Sequence, residues 1–223
     1  MKNRHSTNKM LKYAFFMFIS LFSFLPLYTE TVTFNADSMS GKASDAHTIT
    51  RLLGNAKIKT DDIEIFADNI ELSGEEYRIV RASGNISGQS NVNGFSFSCT
   101  HMHYDRETKI AIFENDANIV DLDNNVTAKA QYIRYDQNTE VANMQISVTI
   151  LHEEAICTSS FAIYRKQTSM LELSGSPKIV NDQDTYTARE ITLNLDTEEM
   201  TLDGKVTGTV SSQNKKKKAA TDE

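Results

Sequence analysis

The sequence predicts an all-β protein: an elongated antiparallel β-jelly-roll, or β-taco, of about six ~30-residue repeats, preceded by an N-terminal signal or anchor helix. Three observations predict it. A ten-residue pattern recurs along the chain, and its apolar positions alternate with period two. Each copy is also followed by turn-forming residues and a second apolar run.

The clearest copy runs Ile63, Ile65, Ala67, Ile70, Leu72, with polar residues at most of the positions between. In a strand, alternate side chains share a face, so Ile63, Ile65 and Ala67 point one way. The extra residue after Ala67 shifts the phase and returns Ile70 and Leu72 to that face, as a strand needs when it bends round a corner. Further copies are read at Phe95–Tyr104, Val126–Tyr135, Ile156–Ile163 and Tyr186–Leu193, with a first copy at Val32–Met39. The small residue falls at Ala36, Ala67, Cys99, Ala130, Thr158 and Ala188, in steps of 31, 32, 31, 28 and 30.

Turn segments come after each copy, such as Asp136-Gln137-Asn138-Thr139. Asp, Asn and Gly suit them because they accept left-handed geometry or bond their own backbone. The return strands carry their own breaks at Gly54-Asn55, Gly84-Asn85, Asn115-Asp116, Gly175-Ser176 and Gly204-Lys205. The fourth break is read at Asn143-Met144, without glycine. Six strands per sheet at roughly 4.8 Å spacing give a body on the order of 30 Å long.

The first 28 residues read as a secretory signal or membrane anchor. Lys2, Arg4, Lys9 and Lys12 precede an uncharged run of 16 residues, Tyr13–Tyr28, closed by Glu30. No A-x-A site comes after it, so cleavage and retention both stay open. Residues 29–211 form the repeat domain. Residues 212–223 form a charged tail in which Lys215–Lys218 is a solvated end or a contact for anionic lipid.

The formal net charge is −7, and the leader holds four bases and no acid among residues 1–28, so the remainder carries 19 bases against 30 acids. A chain this acidic has no electrostatic case for coating nucleic acid. No nucleophile elbow, P-loop or dinucleotide fingerprint is present, so no catalytic residues and no cofactor are expected. Cys99, His101 and His103 do not form a zinc framework, and Asp121–Asn125 lacks the glycine and closing glutamate of a calcium loop, so no metal is expected. Cys99 reads as inward and Cys157 as outward, which argues against a disulfide.

The repeats Ala67–Leu72 with Gly84-Asn85, and Ala130–Asp136, resemble the LptA/OstA family, which includes LptA, the anchored LptC and the N-terminal domain of LptD. The resemblance covers roughly residues 31–210. It implies a jelly-roll whose apolar groove shields the acyl chains of lipopolysaccharide or another acylated glycolipid, in a periplasmic protein. The partners it implies are LptC-like and LptD-like jelly-rolls and further copies of the chain, joined head to tail.

The inward residues assigned to that groove are Ile63, Ile65, Ile70, Leu72, Phe95, Phe97, Met102, Tyr104, Ile133, Tyr135, Phe161, Ile163, Tyr186, Ile191 and Leu193. Each is also a plain core candidate. The docking edges are read near Val32 and Phe34 and near Val206 and Val210, where unpaired strands invite strand addition. The alternative for these edges is capping by residues 40–50 or by the lysine tail. The alternative for the whole chain is a structural, filament-forming β-repeat with a closed core and no lipid.

Overall fold

A computed structural model describes residues 31–41 and 49–211. The leader, most of the 40–50 segment and the lysine tail lie outside the described residues. Among the described residues there is no α-helix, only two 3-10 turns at Glu75–Tyr77 and Lys166–Thr168.

Sixteen strands form one antiparallel, unclosed sheet. Eight of them are long: β3 (Thr50–Lys59), β4 (Ile63–Ser73), β5 (Ile79–Ser90), β6 (Phe95–Asp105), β7 (Ile110–Asp121), β8 (Val126–Asp136), β9 (Val141–His152) and β10 (Ala155–Arg165). Each pairs with its sequence neighbours through hairpins, and each pairing shifts register near its middle. At that shift the sheet folds over on itself, so every long strand serves two layers.

At both ends the through-strands are split at the fold. β1 (Thr33–Asn35) and β2 (Ser38–Ser40) both pair with β3. β11 (Met170–Ser174) and β12 (Lys178–Asn181) both pair with β10. β13 (Asp184–Thr187), β14 (Glu190–Asn194), β15 (Met200–Asp203) and β16 (Thr207–Thr209) continue the two layers separately. Eight whole strands and four split ones give each layer about twelve strand segments, roughly 50 Å of stacking at ~4.8 Å spacing. This corrects the expected six strands per sheet: each repeat supplies a forward and a return strand, and both cross both layers.

The corners explain the repeat motif. On each return strand two consecutive residues take positive φ: Gly54 and Asn55, Gly84 and Asn85, Asn115 and Asp116, Ile146 and Ser147, Gly175 and Ser176, Gly204 and Lys205. On the facing strand a small residue such as Ala67 lies inside the bend, 6% exposed. The next residue, Asp68, lies outside it. A Cβ built on Gly84 would sit 2.4 Å from Asp68 Oδ2, so glycine is needed for contact as well as for its φ of 76°. Asn85 donates its side-chain N–H to Asp68 Oδ2 at 2.9 Å, and Asn55 does the same to Asp37 at 2.8 Å. "Ala-Asp … Gly-Asn" is thus the chemistry of one folded corner.

Two corner readings need correction. The fourth break lies at Ile146-Ser147, not Asn143-Met144, because Met144 is buried in the core while Ile146 is 58% exposed. The small residue of the fifth repeat is Ser159, not Thr158, since the register shift falls between Ser159 and Phe161.

Candidate functional site: the interior between the layers

The alternation of β3–β10 points one face of each layer inward. Aromatic contacts tie the layers together: the Phe97 and Phe113 ring centroids are 4.8 Å apart, and Phe95 meets Tyr135 edge-on at 4.6 Å. Of the residues assigned to the groove, Ile63, Ile65, Ile70, Leu72, Phe95, Phe97, Met102, Tyr104, Ile133, Tyr135 and Ile191 are buried in this interior. Tyr186 and Leu193 are half-buried at its C-terminal end.

Phe161 and Ile163 are misassigned. Phe161 is 51% exposed and Ile163 half-buried on the outer face, where they line a depression of about 380 Å³ with Gln145, Glu172 and Thr192. The phase of the fifth repeat is one residue later, so Cys157, Ala162 and Tyr164 are the inward side chains, at 0%, 3% and 6% exposure. This also corrects the outward reading of Cys157. Both cysteines face inward, are free, and have thiols pushed up by burial, Cys99 to about 12 and Cys157 to about 11.

The return strands also share the interior, which the sequence pattern does not assign to them. Leu52, Phe113, Met144, Ile150 and Leu171 are buried there. Their alternation is visible in the sequence, but the ten-residue pattern covers only the forward strands.

The interior is closed through its centre. Ile58, Ile63, Ile65, Leu72, Phe113 and Ile150 are all 0% exposed. A void of about 20 Å³ remains between Phe95, Ile119, Val126, Ile133, Tyr135 and Met144, room for about one water. Beyond β10 the split strands let the layers part. A groove of about 550 Å³ opens there, floored by Ile179, Tyr186, Leu193, Leu195 and Met200 and rimmed by His152, Glu153, Glu154 and Glu198.

The long edge opposite the corners is a seam between two rows of turns. One row holds 60–62, 91–94, 122–125 and 153–154, the other 74–78, 106–109, 137–140 and 166–169. Side chains close it. Lys109 pairs with Asp62, and Asn93 donates to Glu140 Oε1 at 2.7 Å. Lys166 Nζ donates to Asn93 O at 2.6 Å, Asp121 Oδ1 at 2.9 Å and Asp123 Oδ2 at 2.7 Å. The Tyr164 hydroxyl donates to Asp121 Oδ2 at 3.0 Å and accepts from Asn124 at 2.8 Å. Burial, followed by nearby acids, pushes the hydroxyls of Tyr135 and Tyr164 above the usual tyrosine range.

The folded sheet and its corners accord with one match. The sequence model of the "OstA-like protein" family matches residues 29–203. The chain belongs to the OstA-like family. Its corner motif, Ala67-Asp68 against Gly84-Asn85, lies within the matched region. No curated protein matches this OstA-like chain. Among solved structures it matches the LptA homologous periplasmic component of the lipopolysaccharide transport device from Pseudomonas aeruginosa, LptH. The identity is 8%, the match covers 82% of this chain and 96% of that one, and the TM-score is 0.25. A likeness at that score says nothing about cargo or partners.

Of the docking edges, β1 with Phe34 pairs on one side only, and Val32 lies just before it. Val206 and Val210 flank β16, which pairs only with β13, and both are exposed. No group of three or more His, Cys, Asp or Glu placed to hold a metal ion occurs among the described residues.

Proposed function

We propose that this OstA-like chain is a periplasmic lipid carrier of the LptA kind. It takes the acyl chains of lipopolysaccharide, or of a related acylated glycolipid, between its two layers and passes them between membranes. The observation that supports this best is the apolar interior, which is continuous along the stacked repeats and opens at the C-terminal end into a groove floored by Ile179, Leu193 and Met200. Burial of a methylene there gains about 0.8 kcal/mol, so a few acyl chains bind without any specific polar contact. The leader supports export. The one-sided edge strands β1 and β16 support head-to-tail joining by strand addition, with copies of itself or with LptC-like and LptD-like partners.

One observation favours the second reading, a structural β-repeat without cargo: the centre of the interior is closed and packed. Mass spectrometry of lipid co-purified with residues 29–223 under native conditions separates the two. Leu193→Asp and Met200→Asp are the informative variants, because these half-buried side chains sit at the open end, whereas Ile133 and Phe97 belong to the closed core. Stoichiometric acylated lipid that is lost in those variants supports the carrier. A folded protein that holds no lipid and takes up none supports the structural repeat.

A further inference from the structure

The groove beyond β10 differs from the rest of the seam in charge. At earlier steps a carboxylate in one turn row meets a cation from the other: Lys109 pairs with Asp62, and Lys166 with Asp121 and Asp123. At the groove, Glu153 and Glu154 stand on one lip and Glu198 on the other. No Lys or Arg lines it, and His152 is its one basic side chain. All three glutamates are exposed and make no ion pair among the described residues. Facing lips of one sign repel and favour a cation that the two layers do not supply. Between the lips the floor is apolar, with Ile179, Leu193 and Met200.

The chain leaves the folded sheet beside this groove. Ser211, the last described residue, donates its N–H to Asp184 Oδ1 and its hydroxyl to Gln183 Oε1, both at 2.8 Å. Both partners belong to the β12–β13 hairpin, whose Asn181 lines the groove. β16 stands three strands from β10, through β13 and β12, about 14 Å at ~4.8 Å spacing. Four extended steps from Ser211 to Lys215 cover about 13 Å, and seven to Lys218 about 23 Å. That reach passes Glu153 and Glu154 and crosses the ~10 Å between layers toward Glu198.

We propose that the tetralysine segment Lys215–Lys218 docks in the mouth of this groove in its own chain, as a strap across the two acidic lips. Its ammonium groups meet Glu153, Glu154 and Glu198, while its aliphatic stems lie on the apolar floor at Leu193 and Met200. Exposed ion pairs are individually weak. The tether offsets that weakness, because a short linker holds the segment at an effective concentration on the order of millimolar. Salt releases such a strap, since the Debye length falls from about 10 Å at 0.1 M to about 3 Å at 1 M. Docked, the strap closes the open end of the interior; released, it exposes it. The strap does not depend on the carrier reading, because a repeat without cargo has the same lips and the same tail.

A water-soluble carbodiimide, which joins a lysine amine to a carboxylate with loss of water, reads the contact in the full chain. Peptide mass spectrometry of the monomer at low salt is expected to find Lys215–Lys218 joined to Glu153, Glu154 or Glu198. The yield is expected to fall by about five-fold or more at 1 M salt. Glu153→Gln/Glu154→Gln/Glu198→Gln changes exposed side chains only, so it is expected to keep the fold and lose the links. Mixing ordinary and heavy-isotope chains separates the sources: links within one chain support the strap, and links only between the two isotopes overturn it in favour of a second copy. Vesicles of phosphatidylglycerol are the remaining arm. Tail lysines that bind these vesicles and make no link to the lips in their absence belong to an anionic membrane, and the strap is overturned. Lipid uptake enters none of these readouts, so the strap and the carrier reading fail separately. Absence of any link from Lys215–Lys218 to the three glutamates at low salt overturns the strap outright.

Discussion

Gly84→Ala tests the account of the corners. Gly84 has a φ of 76°, and a Cβ there would lie 2.4 Å from Asp68 Oδ2 and 3.0 Å from Asp68 Cβ. Holding an L-residue in the left-handed region costs about 1 kcal/mol. Pushing the carboxylate aside also breaks its bond from Asn85, for about 1 kcal/mol more. The expected loss is therefore about 2 kcal/mol, a fall in Tm of about 4–8 °C for a domain of this size. Urea or thermal unfolding by circular dichroism reads it. Gly208→Ala is the control, because its nearest heavy atom would be 3.5 Å away and its φ lies outside the left-handed region, so it should change stability by less than about 0.5 kcal/mol. In the background of Asp68→Ala the 2.4 Å contact with Oδ2 is gone and only the 3.0 Å contact with Cβ stays, so Gly84→Ala should cost little more than the backbone part, about 1 kcal/mol. If Gly84→Ala costs no more than Gly208→Ala, or the same with and without Asp68, the corner explanation is wrong.

Three other outcomes are expected from the same geometry. Ile146 carries a positive φ of 68° on a β-branched, 58% exposed side chain, so Ile146→Asn should stabilise by about 0.5–1 kcal/mol in the same unfolding assay, and a loss would contradict the assigned corner. Cys99 and Cys157 are buried with thiols raised to about 12 and about 11, so a soluble thiol reagent at pH 8 should label both slowly in the native protein and rapidly in denaturant; fast native labelling would contradict their placement. The corrected phase of β10 predicts that Ile163→Lys costs under about 1 kcal/mol while Ala162→Lys, at a 3% exposed position, prevents folding; the reverse order in expression and thermal unfolding would restore the phase that hydrophobicity suggests.

Most of the architecture is legible in the sequence because the period-two pattern and the corner chemistry repeat independently. Ala67-Asp68 against Gly84-Asn85 is readable because each residue type is demanded by φ, by contact or by a hydrogen bond. The fifth repeat misleads because its composition reverses the usual cue. Ile156, Phe161 and Ile163 are apolar yet outward, while the inward positions carry the smaller Cys157 and Ala162 and the amphipathic Tyr164. Hydrophobicity alone chooses the wrong face. A strict 31-residue step from Ala130 lands on Phe161, so the step cannot repair it. The seam is not legible at all. It is made by turn residues from repeats one or more steps apart, such as Asn93 with Glu140, and no local pattern announces a partner 47 positions away.

Whether a closed interior can serve a lipid carrier is a question of magnitudes. The seam is held by roughly eight side-chain contacts, each worth about 1 kcal/mol net after its exchange with water. An acyl chain that slides between the layers keeps both inner faces in apolar contact, so the main cost of entry is the seam itself, on the order of 8 kcal/mol if it parts along its whole length. Each methylene brought in from water returns about 0.8 kcal/mol. The two balance at about ten methylenes. A threshold in chain length is therefore expected. Isothermal titration with saturated fatty acids should show little binding for chains well below ten carbons and a steep rise above, by about four-fold per added methylene at 0.8 kcal/mol each. A smooth increase from the shortest chains upward would mean that nothing has to be opened, and that the chains lodge in the C-terminal groove alone.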